Sequence, residues 1–419
     1  MFQHVSISFV TTTAPSAAPN AAEIEKVARD VVTAHPPRDV PLTELMGAWY
    51  DAGLTWVHFP EGLGGLRAPR SLQPVANRVM REAGGPEPRT VNTIGYGIVA
   101  GTIRRYASPE QASRLLRPLA TGEEKWCQLF SEPSAGSDLA GLATRAVRDT
   151  GSASGQGEAG GDWIVNGQKV WTSLAHTSRW AVLLARTDPD VPKHKGLTYF
   201  ILDMTTPGVE VRPLRQLTGR AQFNEVFLDN VRIPDSQRFG AVGEGWIVAN
   251  STLGDERTSL GDRVPARGSG VIADALELWQ AHPERHTPVL RERLTRLWIR
   301  AETHRLTSDR TRVAAATQAT AGPGSAVTKL VGSELTQHVY EFCMELLGPA
   351  GTLIDTYSPD APDDESGSTA IQRKYLRSRA TTLEGGTSEI QRNVIGERVL
   401  KLPQEPRADK KIPWRDVPR

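Results

Sequence analysis

A chain of 419 residues is longer than one small domain requires, and at roughly 150 residues per domain it has room for two or three packed units. With 39% hydrophobic residues, 23% charged residues and a formal net charge of +1, it is neither polar enough for a disordered chain nor basic enough for nucleic acid, so no nucleic-acid partner is expected. Its two cysteines, Cys127 and Cys343, lie far apart, which excludes a disulfide framework or a cysteine-rich zinc site and makes the cytoplasm the expected compartment.

The opening stretch, MFQHVSISFVTTTAPSAAPNAA, lacks the basic start and sustained apolar run of a secretory signal and reads as a flexible lead-in over 1–20. No segment approaches the roughly 20 apolar residues of a membrane span, so none is expected. Over 21–125 the stretches AAEIEKVARDVVTAH, PLTELMGAWYDAG, SLQPVANRVMREAGG and SPEQASRLLRPLATG carry helical spacing between Pro and Gly punctuation, giving an N-terminal helical domain. Over 126–238 the texture changes to short β-branched and aromatic runs, DWIVNGQKVWTS, RWAVLLART, GLTYFILDM, VEVRPL and NEVFLDNVRIP, giving a middle β domain. RDTGSASGQGEAGGD at 148–162 reads as a long hairpin loop within it. Helical texture returns over 239–402, interrupted by the polar YSPDAPDDESGS at 357–368, and a charged tail follows over 403–419.

Two motifs have bland readings. Gly155, Gly157 and Gly160 spell G-x-G-x-x-G, but inside a Gly/Ser loop they lack the strand and helix that give that fingerprint its meaning. His282 and His286 have the spacing of helical metal ligands, yet Pro283 and charged neighbours make a solvated helix junction the better reading, and no metal is expected.

A denser signal lies in FSEPSAGSDL at 130–139, where small hydroxyl and glycine residues after a strand offer N–H groups and hydroxyls to a flat polar ring or a phosphate. It is followed by VNGQKVWTS at 165–173, FNEVFLDNVRIP at 223–234 and LEGGTSEIQR at 383–392. Together, in a helix–strand–helix order covering nearly the whole chain, these four motifs resemble the acyl-CoA dehydrogenase family. The stretch TDPDVPKHKGLTYFILDMTTPGVEVRPLRQLTG and the closing GERVLKLP look most like its bacterial branch, which handles varied acyl-CoA thioesters including sterol side-chain fragments. The implied fold is mainly α with a central β-barrel-like domain between two helical ones.

The resemblance implies an FAD cofactor whose chemistry the protein tunes. Phe130 and Ser131 would meet the pyrimidine end of the flavin ring, Trp171 would cover it, Ser173 would bond near its hydride-accepting nitrogen, and Gln128 stands where many relatives have an aromatic residue. Gly136 and Ser137 would approach the pyrophosphate, with Ser137 shared with the acyl-CoA substrate. Thr387 and Glu389 match positions that hold the adenosine half. Core packing is the alternative for Trp171 and Phe130.

An α C–H beside a thioester is a weak acid, so the reaction needs a base, and a carboxylate in a dry pocket has the raised basicity required. In many relatives that base precedes the last Gly-Thr of the C-terminal motif, but Gly385 occupies the position here. Glu384, one residue away, is the alternative base, although a side chain shifted by one position on a turn or helix end points elsewhere. Other members carry the base on the first helix after the β domain, and LGDER at 253–257 matches them, which makes Glu256 the expected base and Arg257 a group that orients it or meets the substrate. The Gly385 N–H would polarise the thioester carbonyl in an oxyanion-type site. Pairing of Glu256 with Arg257, or capping of its own helix, is the bland reading.

Two departures from the family stand out. The Arg-x-x-Phe-Gly stretch that reaches a neighbouring subunit's flavin is missing, and the glycine-bearing turn LGPAG at 347–351 lacks the common Asn. The expected activity is α,β-dehydrogenation to trans-2-enoyl-CoA, with electrons passing to an electron-transfer flavoprotein or another acceptor. A homodimer or homotetramer is expected, with a heteromer as the alternative, in which this chain could even be a silent subunit. The rival readings are a carrier-tethered or natural-product acyl substrate, and a flavin monooxygenase of the same superfamily. Glu256 and the Ser137 motif argue against the monooxygenase.

Overall fold

The computed structural model describes residues 18–149, 161–261, 264–317, 324–354 and 370–418, without the side chains of 255–261, 315–317 and 408. The G-x-G-x-x-G glycines and the 357–368 interruption therefore lie outside the described residues. The chain divides into two compact units, one ending at Pro88 and one starting at Arg89.

In the first unit, helix α1 (Ala21–Ala34) starts where Asn20 offers its side-chain oxygen to the amides of Ala22 and Glu23, while Glu23 accepts from the Asn20 amide at 2.7 Å. That reciprocal box satisfies donors a helix start would otherwise leave open. Helices α2 (Leu42–Asp51) and α3 (Gln73–Glu82) bury Leu45, Met46, Trp49, Ala76, Val79 and Met80, and α1 buries Ile24 and Ala28. The loop between α2 and α3 is fastened by Gln73, which accepts from the Val57 amide at 2.9 Å and donates to the Leu54 carbonyl at 3.0 Å. The four-residue helix α4 (Pro88–Val91) marks the boundary.

The second unit opens with a π-type turn (Gly95–Val99), α5 (Ala100–Tyr106) and α6 (Pro109–Thr121). Ser108 and Gln111 form a capping box on α6, and Gly122 ends it at a left-handed φ of +79°. Among the described residues eight strands follow: β1 (Trp126–Leu129), β2 (Arg145–Arg148), β3 (Trp163–Ser173), β4 (Trp180–Arg186), β5 (Leu197–Asp203), β6 (Val209–Leu214), β7 (Phe223–Ile233) and β8 (Arg238–Phe239). They form one sheet in the order β6-β7-β3-β2-β4-β5-β8, with β1 pairing parallel to β4. Every residue of β4 is buried, the pattern of a strand covered on both faces, and its WAVLLAR sequence is accordingly an unbroken apolar run up to the arginine. The sheet core gathers Leu129, Val165, Ala181, Leu183, Phe200, Leu202, Val226 and Val231.

The helices after the sheet are α7 (Gly245–Gly261), α8 (Val271–Ala281), α9 (Pro288–Thr317), α10 (Gly324–Leu347), α11 (Ala370–Ser378) and α12 (Ser388–Val394). Ile272, Ala275, Leu335, Val339, Phe342 and Cys343 form the core of α8 to α10. His286 stacks on Trp279 at 3.7 Å and bonds its carbonyl, while His282 meets Glu284, so both histidines have structural partners at the junction between α8 and α9. No described helix is long and apolar enough to cross a membrane.

Candidate active site

The loop after β1 is shaped by a buried ion pair. Along β3 the inward positions Trp163, Val165 and Lys169 follow the two-residue alternation of a strand, which carries Lys169 into the interior with no exposed surface. Its ammonium donates to the Phe130 carbonyl at 3.0 Å, the Leu184 carbonyl at 2.9 Å and Glu132 Oε1 at 2.9 Å. Glu132, only 5% exposed, also accepts from the Ala143 and Thr144 amides at 2.7 and 2.9 Å. Burial alone would push the Glu132 carboxyl up, but Lys169 and these donors outweigh it and hold it below the usual carboxylate range. Burial likewise drives the Lys169 ammonium down, against the pull of Glu132.

With both ends of that stretch anchored, Ser131 accepts from the Val170 amide at 2.9 Å, and Glu132 and Ala135 exchange backbone hydrogen bonds at 3.1 Å. Residues Gly136 and Ser137 project from this fixed base as an exposed turn, and a Cβ at Gly136 would meet nothing within 4 Å. The Phe130 ring is buried edge-on against Tyr199, 5.9 Å between centroids, so its side chain packs in the core while its backbone belongs to the loop. Gln128, half-buried on β1, pairs in register with Val182.

A second wall is made by the end of β3. A register shift between Lys169 and Thr172 in the pairing with β7, and left-handed φ values of +60° at Trp171 and +56° at Leu174, turn the strand sharply. Such conformations cost non-glycine residues about 1–2 kcal/mol and concentrate at functional sites. They leave the Trp171 indole 61% exposed, so the core-packing alternative does not hold for it. Buried Asn224 braces the bend by donating to the Thr172 carbonyl at 2.9 Å, and Ser173 sits opposite Phe223. Phe223 meets Trp171 edge-on at 6.0 Å and carries the Arg377 guanidinium 5.8 Å from its ring centroid.

Through Arg377 the C-terminal motif reaches this wall. Glu384 is clamped by Arg377 at 2.8 and 3.0 Å and stands exposed, unlike the dry carboxylate an α-proton base requires. Gly385 and Gly386 follow with φ of +62° and +92°. The turn is held from behind by the Lys329 ammonium, which donates to the Gly386 carbonyl at 2.6 Å and the Thr381 carbonyl at 3.0 Å. Thr387 caps α12 by accepting from the Ile390 amide at 3.2 Å, and Glu389 points into solvent beside Arg392.

The third element is α7. Thr252 is buried and its hydroxyl meets those of Tyr199 at 3.0 Å and Thr102 at 2.9 Å. Tyr199 thus touches Phe130 on one side and α7 on the other. Positions 256 and 257 lie on the α7 backbone one turn further along, but the side chains of Glu256 and Arg257 are outside the described residues.

The structure therefore brings together the 130–137 loop, the 171–173 bend, the 384–387 turn and the α7 backbone. The pairing of Lys169 with Glu132, and the places of Tyr199, Phe223 and Arg377, were not anticipated from sequence; the two-residue alternation from Val165 to Lys169 is the signal that could have put Lys169 on the core face. Two buried hydroxyls at these walls, Thr172 and Ser388, have no hydrogen-bond partner among the described residues. Open-faced indole, unsatisfied hydroxyls and an unobstructed glycine turn suit a flat polar ring with a diphosphate tail.

Family models match along the chain: "Acyl-CoA dehydrogenase, N-terminal domain" over residues 15–123, "Acyl-CoA dehydrogenase, middle domain" over 127–231 and "Acyl-CoA dehydrogenase, C-terminal domain" over 243–400. The chain is 40% identical to acyl-CoA dehydrogenase FadE34 of Mycobacterium tuberculosis, over 84% of its own length and 45% of that protein's, so it spans about half of that relative. It is 39% identical to acyl-CoA dehydrogenase IpdE1 of the same organism, over 84% of this chain and 86% of that one. Among solved structures, the Tcur3481-Tcur3483 steroid ACAD superimposes with a TM-score of 0.69 at 26% identity, covering 92% of this chain and 94% of the other. In fold and in sequence over most of its length, the chain belongs to the acyl-CoA dehydrogenase family, whose cofactor is FAD.

Proposed function

We propose that this chain catalyses FAD-dependent α,β-dehydrogenation of an acyl-CoA thioester to the trans-2-enoyl product. The observation that carries the reading is the Tyr199 junction, where one side chain packs on Phe130 of the candidate flavin loop and hydrogen-bonds Thr252 of the helix bearing position 256. FAD, when bound, supplies the hydride acceptor. Gln128, Phe130, Ser131, Trp171 and Ser173 would hold its ring, Gly136 and Ser137 its diphosphate, and Thr387 and Glu389 its adenosine end. Glu256 removes the α-proton, Arg257 orients it, and the Gly385 N–H holds the thioester oxygen as negative charge develops there. Glu384 fits the base role poorly because its carboxylate is engaged by Arg377.

For the acyl group we favour a bulky, ring-bearing thioester, a reading supported by the likeness to the steroid enzyme. That enzyme is named for two polypeptides, which supports a heteromeric assembly for this chain over a homomer. An electron-transfer flavoprotein is the proposed acceptor.

The test pairs unmodified protein with Glu256→Gln, assayed with a dye acceptor against acyl-CoA thioesters of graded length and ring content. Loss of turnover by about 10²–10⁴-fold, with flavin retained, is expected. Undiminished turnover in the variant would remove Glu256 from the mechanism, and turnover confined to short straight chains would remove the ring-bearing substrate.

A further inference from the structure

Beyond α12 the chain returns to the loop that follows β4. Pro413 bridges to Pro192, the Trp414 amide donates to the Val191 carbonyl at 2.9 Å, and the Arg415 amide donates to the Pro189 carbonyl at 3.1 Å. Arg415 also pairs with Asp190. This fixes 413–415 against the loop that follows β4.

From there the segment touches the candidate ligand loop. The Trp414 indole N–H donates to the Gly141 carbonyl at 3.1 Å, and its ring lies 4.3 Å from the guanidinium of buried Arg186. Arg186 in turn donates to the Ala140 and Leu142 carbonyls at 2.6 and 3.0 Å and to the Lys193 carbonyl at 3.2 Å. Lys193, nearly buried, bridges Asp138 at 2.9 Å and Asp409 at 2.5 Å. Asp138 directly follows Ser137. Asp138, Ala140 and Leu142 thus hang on groups that Trp414 and Asp409 cover or neutralise, and Gly141 hangs on Trp414 itself.

We propose that 409–415 is a strap that sets the conformation of the 136–142 loop, with Trp414 and Asp409 as positioning residues acting through Arg186 and Lys193. A guanidinium stripped of water needs compensating partners, and the indole face supplies one that a hydrated side chain would not. Without the strap, Arg186 and Lys193 rehydrate, the carbonyls of 140–142 lose fixed donors, and Gly136 and Ser137 no longer arrive preordered at a ligand. Taking that ligand to be the acyl-CoA or the flavin diphosphate rests on the proposed function.

The full chain carrying Trp414→Ala, Trp414→Phe or Asp409→Asn is compared with unmodified protein by hydrogen exchange and by steady-state kinetics. In Trp414→Ala, amides of 136–144 should exchange about tenfold faster or more while strands β4 and β5 keep their protection. KM for the acyl-CoA should rise about tenfold with kcat changed less than about twofold, the signature of lost preorganisation. Trp414→Phe, which keeps a ring on Arg186, should recover most of both effects, and Asp409→Asn should show the same pattern at smaller size. Unchanged exchange at 136–144 in Trp414→Ala and Asp409→Asn would overturn the strap. A loosened loop with unaltered KM would overturn its positioning role. If the unmodified protein turned over no acyl-CoA, the functional reading would fail, and the exchange experiment would still decide the strap.

Discussion

Replacing Lys169 by Met tests how the candidate flavin loop is held. The side chain lies fully inside the sheet and makes three bonds of 2.9–3.0 Å, one of them to a carboxylate that is itself buried. At an effective dielectric of about 20, unit charges at the observed separation of 2.9 Å attract by about 6 kcal/mol, most of which offsets the cost of desolvating both groups. Removing one member forfeits the attraction and leaves the desolvation, so Lys169→Met should cost about 3–5 kcal/mol. Adding Glu132→Gln removes the stranded charge while keeping an acceptor for the Ala143 or Thr144 amide, and should recover about 1–3 kcal/mol of that loss. Urea unfolding followed by the fluorescence of the sheet tryptophans Trp126, Trp163 and Trp180 gives each value. A single variant costing under about 1 kcal/mol, or a double variant equal to the sum of the singles, would refute the claim that the pair is electrostatically coupled.

Gly386→Ala should destabilise by about 1–3 kcal/mol, because its φ of +92° disfavours a side chain and the new Cβ would lie 2.5 Å from Gln391 Nε2; thermal unfolding and flavin content measure the effect. Asp235 accepts from Arg238 and from the Trp163 indole, and these bonds hold its carboxyl below the usual range. A depressed folded value means the contribution is complete above the unfolded value and is lost as pH falls through the folded one. Asp235→Asn should therefore flatten the decline of the unfolding midpoint below about pH 5 and lower stability at neutral pH. The thiols of Cys127 and Cys343 are both pushed up to about 12 by burial, so iodoacetamide near neutral pH should leave native protein unlabelled and modify both sites after unfolding, as counted by mass spectrometry.

Most secondary structure was legible because it is locally encoded. The apolar spacing after Asn20 announces α1, and the unbroken WAVLLAR announces a buried strand. Strand β2 escaped notice because RAVR is four residues long with Arg145 and Val147 exposed, and its pairings with β3 and β4 are what make it a strand. The order of the sheet depends on such long-range pairings, which no local pattern carries. In the candidate site, the small residues of 130–139 suggested a ligand loop from sequence alone, whereas the scaffold beneath them was not legible. Lysine and glutamate are ordinarily placed outside, and their mutual burial depends on a loop and a strand 37 residues apart meeting. The bend at Trp171 has no glycine to advertise it. The 403–419 segment reads as a charged tail by composition, yet its Trp414 is what seats it on the sheet.

Strands β1 and β4 run in the same direction side by side, so the chain leaves both at one rim of the sheet. The 136–137 turn, the proposed diphosphate contact, and the 187–196 excursion are therefore neighbours by topology. Lengthening or recharging the second would be felt immediately by the first, with every motif residue left in place. Family members could retune their grip on a ligand at that rim while the 171–173 bend, the proposed flavin wall on another strand, is left unchanged.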